Sequence, residues 1–163
     1  MHSRVFHVET DKTLKEDLDL AYELEENGFV GEVADYAVNI APDDDGPNGY
    51  DNAVNWFKEA IEERLGNLVT FYDDNSFEFS AGFKQKWFKE TFESFKSVIE
   101  NMTLDDFATS ELLTYKIQSM IEAKYEFYIY KEDNGYCTLD NFIREDAVDH
   151  VKYYIKDVAD YHC

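Results

Sequence analysis

The run Tyr125-Glu126-Phe127-Tyr128-Ile129-Tyr130-Lys131-Glu132-Asp133-Asn134-Gly135-Tyr136-Cys137-Thr138 reads as a strand, a turn and a return strand. Tyr125 to Tyr130 is aromatic and branched, the composition that suits a pleated surface. Asn134-Gly135 is a hairpin signal of type I′, because both residues tolerate positive φ. Before this hairpin, Thr103-Leu104-Asp105-Asp106 resembles a capping box with Asp in its last position, which predicts a helix start. That helix runs on through Leu113, Ile117, Met120 and Ile121, with a break near Ser110. After the hairpin, Ala147, Val151, Ile155 and Val158 recur at three- and four-residue steps, which predicts a last helix from about Leu139. A hairpin flanked by helices points to an α+β fold.

The same rules extend toward the N-terminus. Residues 4–9 read as a strand with Val5 and Phe6 on opposite faces, and 12–27 as a helix with Leu14, Leu18, Ala21 and Leu24 inward. Val33 to Ile40 suggests a second strand, and Ala41 to Gly49, which holds both prolines, is the clearest loop. Residues 51–65 predict a helix burying Val54, Phe57, Ile61 and Leu65. Leu68–Tyr72 and Phe77–Ser80 predict a second hairpin across Asp73 to Ser76. Gly82 to Asn101 predicts a long helix that carries Trp87, Phe88, Phe92, Phe95 and Ile99, together with Lys84, Lys86 and Lys89. The expectation is one domain over 1–163, with four to five helices around a small, mostly antiparallel sheet and hairpins near 68–80 and 125–138.

Charge is the second dominant feature. Thirty-six acids face 15 basic residues, a net of −21 in 163 residues, on a chain that is 17% aromatic. Disordered acidic tails are poor in aromatics, so this is a foldable chain with a polyanionic surface. Lysines outnumber arginines 12 to 3, which does not suit a halophile. Between Asp11 and Asp51 stand 13 acids and two lysines, a net of −11. Such a field repels nucleic acid and anionic membranes, which bind through Lys and Arg. It attracts basic proteins.

Motifs for chemistry are absent. Counting a calcium loop from Asp43 puts Pro47 at position 5, Asn48 at 6 and Val54 at 12, against the required oxygen, glycine and glutamate. Asp73-Asp74-Asn75 fails in the same way, with Phe77 at position 5 and Glu78 at 6. His150, His162 and Cys163 lack zinc-ligand spacing. Cys137 reads as a small apolar filler, and two cysteines make no disulfide framework. No nucleophile elbow, phosphate loop or zincin motif occurs. No catalytic residue, metal ligand or cofactor is therefore expected. The apolar run after Met1-His2-Ser3-Arg4 is too short for a signal peptide, and no segment is long enough to span a bilayer. A cytoplasmic location, in a bacterial host cell, is the expectation.

Acids crowd Glu16 to Glu26, Asp43 to Asp45 and Glu59 to Glu63. In composition and charge the chain resembles the DNA-mimicking inhibitors that phages and mobile elements make against restriction enzymes and CRISPR nucleases. The resemblance implies a partner that handles nucleic acid, a CRISPR effector or restriction enzyme, occupied at its basic cleft without direct nucleic-acid binding. Carboxylates at i,i+3 and i,i+4 on a helix stand roughly 5–6 Å apart, comparable with phosphate spacing. Asp17, Glu23, Glu25, Glu26, Asp43, Asp44 and Asp45 are the expected phosphate surrogates. The lysines at 84, 86 and 89 suggest a one-sided surface. Two other readings fit the composition: an immunity protein against a basic nuclease toxin, and an acidic enzyme or calcium-binding module.

Overall fold

The computed structural model describes residues 2–10, 18–109, 113–121 and 127–163. Its centre is a seven-stranded sheet in the order β3-β4-β7-β1-β5-β6, with β2 also paired to β7. The strands are β1 (His2–Glu9), β2 (Tyr36–Ile40), β3 (Val69–Phe71), β4 (Ser76–Phe79), β5 (Tyr128–Lys131), β6 (Gly135–Thr138) and β7 (Lys152–His162). The helices are α1 (Leu20–Glu26), α2 (Tyr50–Leu65), α3 (Phe83–Glu100), α4 (Leu104–Thr109), α5 (Leu113–Ile121) and a single turn, α6 (Leu139–Asn141). The α+β class and the mostly antiparallel sheet agree with expectation. The described residues hold six helices rather than four to five, the sheet is not small, and β1 and β5 run parallel, from Val5 opposite Tyr128 to His7 opposite Tyr130.

Both faces of the sheet are covered. Val5 joins one buried cluster with Leu20, Leu24, Phe29, Tyr128, Tyr130 and Tyr161. Phe6 and Val8 join the other, with Phe57, Ile61, Phe77, Phe79, Trp87, Ile129 and Phe142. Helix α1 lies over the first face, and α2 and α3 over the second. Phe57 shows the density of the larger core: it is fully buried, with ring contacts to Phe6, Phe77 and Phe127. Trp87 donates its indole hydrogen to the Asp140 carboxylate at 2.6 Å, while Arg64 stacks on its ring at 3.8 Å. Beyond Trp87, α3 runs out of core, and Phe92 and Ile99 are exposed.

Four further expectations need correction. The last helix is instead β7, the longest strand. Tyr153, Ile155 and Val158 all face the larger core, although a regular strand would give 153, 155 and 157. The pairing to β1 explains the step: Phe6 faces Val158 and Val8 faces Ile155, so two residues of β7 oppose His7 alone. A β-bulge inserts that extra residue, and the resulting three-residue step imitates a helical stripe. Tyr50 donates its hydroxyl to the carbonyls of Ile155 and Lys156 at 3.2 and 3.0 Å, which holds the bulge.

The helix expected over 12–27 spans Leu20–Glu26 in the described residues. Asp19 is extended and accepts the Tyr22 amide hydrogen at 3.0 Å, so it caps the helix there; Leu14 and the rest of 11–17 lie outside the described residues. The strand expected from Val33 begins only at Tyr36. The hairpin expected over 125–138 is present as Tyr128–Lys131 and Gly135–Thr138, with Tyr125 and Glu126 outside the described residues, but its turn is not type I′. Lys131 pairs with Gly135, leaving Glu132, Asp133 and Asn134 as the loop, and only Gly135 has positive φ, at 70°. That is the three-residue loop closed by a left-handed glycine. The Thr103–Asp106 capping box forms as expected, with reciprocal bonds between the Asp106 amide and Thr103 Oγ1 and between the Thr103 amide and Asp106 Oδ2. The expected break near Ser110 lies outside the described residues.

Candidate functional site

Between Lys15 and Lys58 the sequence holds twelve acids and no lysine or arginine. From residue 18 onward the segment folds into α1, β2, the 41–49 loop and the start of α2. Helix α1 seats Leu20 and Leu24 on the sheet, which turns Glu25 and Glu26 out to solvent. Its N-terminal end is tied to β2, where Asn39 accepts the Ala21 amide hydrogen at 2.8 Å and donates to Asp19 at 2.7 Å. These bonds hold the Asp19 carboxyl below the usual carboxylate range, the Tyr22 amide contributing most. The acidic loop begins one residue after β2.

The loop is built, not slack. Asp44 Oδ1 accepts the Gly46 amide hydrogen at 2.9 Å, and the Asp44 carbonyl accepts that of Tyr50 at 3.2 Å. A Cβ on Gly49 would stand 2.0 Å from that carbonyl oxygen, so only glycine lets the chain pass. Asp43, Asp44 and Asp45 are all exposed, although Asp44 has a structural duty as well.

The expected surrogates therefore divide. Glu25, Glu26, Asp43 and Asp45 present exposed carboxylates. Glu23 is half-buried and accepts the Tyr130 hydroxyl at 3.1 Å, so it serves α1 docking. Burial, then Glu23, pushes the Tyr130 hydroxyl up to about 12. Asp17 lies outside the described residues. Glu59, Glu62 and Glu63 are exposed on α2, across the sheet from α1. Lys84, Lys86 and Lys89 share that second layer on α3, where Lys84 donates to the Arg144 carbonyl at 3.0 Å.

A second cluster was not anticipated. His7 lies on the α1 face of β1 with only 1% of its side chain exposed. Its Nδ1 is 2.8 Å from Asp157 Oδ2, and the Tyr130 ring packs edge-on against it at 5.6 Å. Its Nε2 is buried and finds no hydrogen-bond partner among the described residues. That atom looks toward Glu9 Oε1 at 3.5 Å and Glu132 Oε1 at 3.8 Å. Glu9 is itself fixed, since its Oε1 accepts the Glu132 amide hydrogen at 2.8 Å. His7, Glu9 and Glu132 each offer a ligand atom within 4.8 Å of the others.

The signal for this cluster lay in period-2 spacing, which puts His7 and Glu9 on one face of β1. Glu132 and Asp157 were beyond sequence reading. The first needs the parallel β1–β5 pairing, and the second needs the bulge that turns Asp157 to the His7 side. The histidines singled out from sequence sit elsewhere: His150 is 3.6 Å from Glu78, and His162 is 3.4 Å from Asp35 at the far end of β7. Cys137 packs against the larger core, and burial pushes its thiol up to about 11.

Fold and surface together define an acidic α+β protein with a sheet covered on both faces. Compared with known proteins, the chain matches no family model, no curated protein and no solved structure. None of its described helices is long and apolar enough to cross a membrane.

Proposed function

We propose that this protein is a non-enzymatic inhibitor that occupies the basic nucleic-acid-binding surface of a nuclease or its guide complex, as an anti-CRISPR or anti-restriction protein does. The observation that carries the reading is the stretch of twelve acids without a lysine or arginine between Lys15 and Lys58. It supplies exposed carboxylates on α1 and on the braced 41–49 loop. The lysine cluster of α3 lies in the opposite layer, so no lysine of that group neutralises α1. Fixed carboxylates on rigid elements suit a partner whose own Lys and Arg are fixed for phosphate. Like charges held close cost stability, and binding a basic cleft relieves that repulsion.

The test is capture from a bacterial lysate that contains a CRISPR effector and a restriction enzyme, with elution in salt steps. A nuclease or guide complex released at moderate salt, displaced by added DNA or RNA, and not retained by the Glu25→Gln/Glu26→Gln/Asp43→Asn/Asp45→Asn variant is the expected result. Retention of the same proteins by that variant, with its melting curve unchanged, would sink the proposal.

A further inference from the structure

We propose that His7, Glu9 and Glu132 bind one divalent ion of the zinc class, independently of the acidic partner surface. The starting observation is the His7 ring. Its Nδ1 side is committed to Asp157 at 2.8 Å, which leaves Nε2 as the ring atom available to ligate a cation. A buried polar atom without a partner is costly and uncommon. Here it is aimed at two carboxylates that stand at 3.5 and 3.8 Å. Those gaps are too long for hydrogen bonds. They fit donors that share an ion: tetrahedral zinc with bonds of about 2.0–2.1 Å sets its ligands roughly 3.3–3.4 Å apart.

The chemistry of the donor set narrows the ion. One imidazole nitrogen and two carboxylates suit Zn2+ and its first-row neighbours, whereas Ca2+ and Mg2+ prefer all-oxygen sites. Two carboxylates also supply the negative charge that a dication requires. Asp157 completes the pattern from behind, as the carboxylate that orients a ligating histidine through its other ring nitrogen. The bulge in β7 is what turns it there, and bulges commonly re-aim a side chain beside a functional site.

Placement in the fold agrees. His7 and Glu9 end β1, and Glu132 follows β5, the strand parallel to it. Ligand sites in parallel sheets gather at the carboxyl ends of adjacent strands. Glu9 and Glu132 keep 20% and 19% of their side chains exposed, which leaves an approach for the ion and an open coordination position for solvent.

The experiment is calorimetric titration of the EDTA-stripped, dialysed full chain with Zn2+, followed by X-ray absorption at the zinc edge. We expect one saturable equivalent, a first shell containing one imidazole nitrogen with oxygens, and no competition from millimolar Ca2+ or Mg2+. Glu132→Gln and Glu9→Gln should each weaken binding at least tenfold with the fold intact. Asp157→Asn, acting through His7, should weaken it about 10–100-fold. His7→Gln should abolish the nitrogen signal, and the two glutamate variants keep the test valid if that substitution unfolds the chain. Binding that is non-saturable, equally displaced by Ca2+, or unchanged in the glutamate variants would overturn the site and assign the ion to the diffuse acidic surface.

Discussion

At the scale of single residues, two tyrosines link the fold to pH. Tyr50 braces the β7 bulge from inside the core, and burial followed by the charge of Asp157 pushes its hydroxyl up to about 12 from 10.0. Tyr130 is raised to about 12 by burial and its bond to Glu23. A group with a raised folded pKa holds its proton more tightly when folded. Its contribution is complete below pH 10 or so and is lost as pH climbs through about 12. Urea midpoints measured from pH 8 to 12 should therefore fall steeply above pH 10. Tyr130→Phe should shrink that fall, because its share cannot titrate. An equal fall in the variant would show that Tyr130 is not coupled to folding.

At the scale of elements, α2 was legible because its apolar residues keep helical spacing and their burial needs no distant partner to be foreseen. Val54, Phe57, Ile61 and Leu65 are all inward as expected. Phe57 anchors that face, and Phe57→Ala should cost about 3–5 kcal/mol, read as a shift in the urea midpoint. A loss below 1 kcal/mol or so would mean that the core collapses freely around the gap. The first hairpin and the capping box were equally local and equally legible. β7 was not, since a central strand covered on both faces loses simple alternation, and its bulge restored a false helical step. The turn at Asn134-Gly135 shows a finer limit. Sequence marks the glycine, whereas strand register decides whether one or two residues take positive φ. For the candidate sites, the acidic segment was readable as composition, and only the structure separates exposed Glu25 from Glu23, which Tyr130 holds. The His7 cluster joins residues more than a hundred positions apart through strand pairing.

At the scale of the whole molecule, charge is the organising quantity. A net of −21 destabilises a compact chain through self-repulsion and steers it toward basic surfaces over a range set by salt. The sheet separates α1 from the lysine-bearing α3, and the edge strand β2 leads into the acidic loop, so the field is uneven across the molecule. An uneven field predicts a defined docking orientation as well as general stickiness. The decisive measurement is the dissociation constant for the captured nuclease or guide complex as a function of NaCl, for the native chain and for the four-site variant neutralised at Glu25, Glu26, Asp43 and Asp45. We expect native affinity to fall steeply as salt rises. The variant should bind more weakly at low salt and respond less to added salt, with an unchanged melting curve. The same affinity and the same salt dependence in both chains would contradict charge mimicry by this surface.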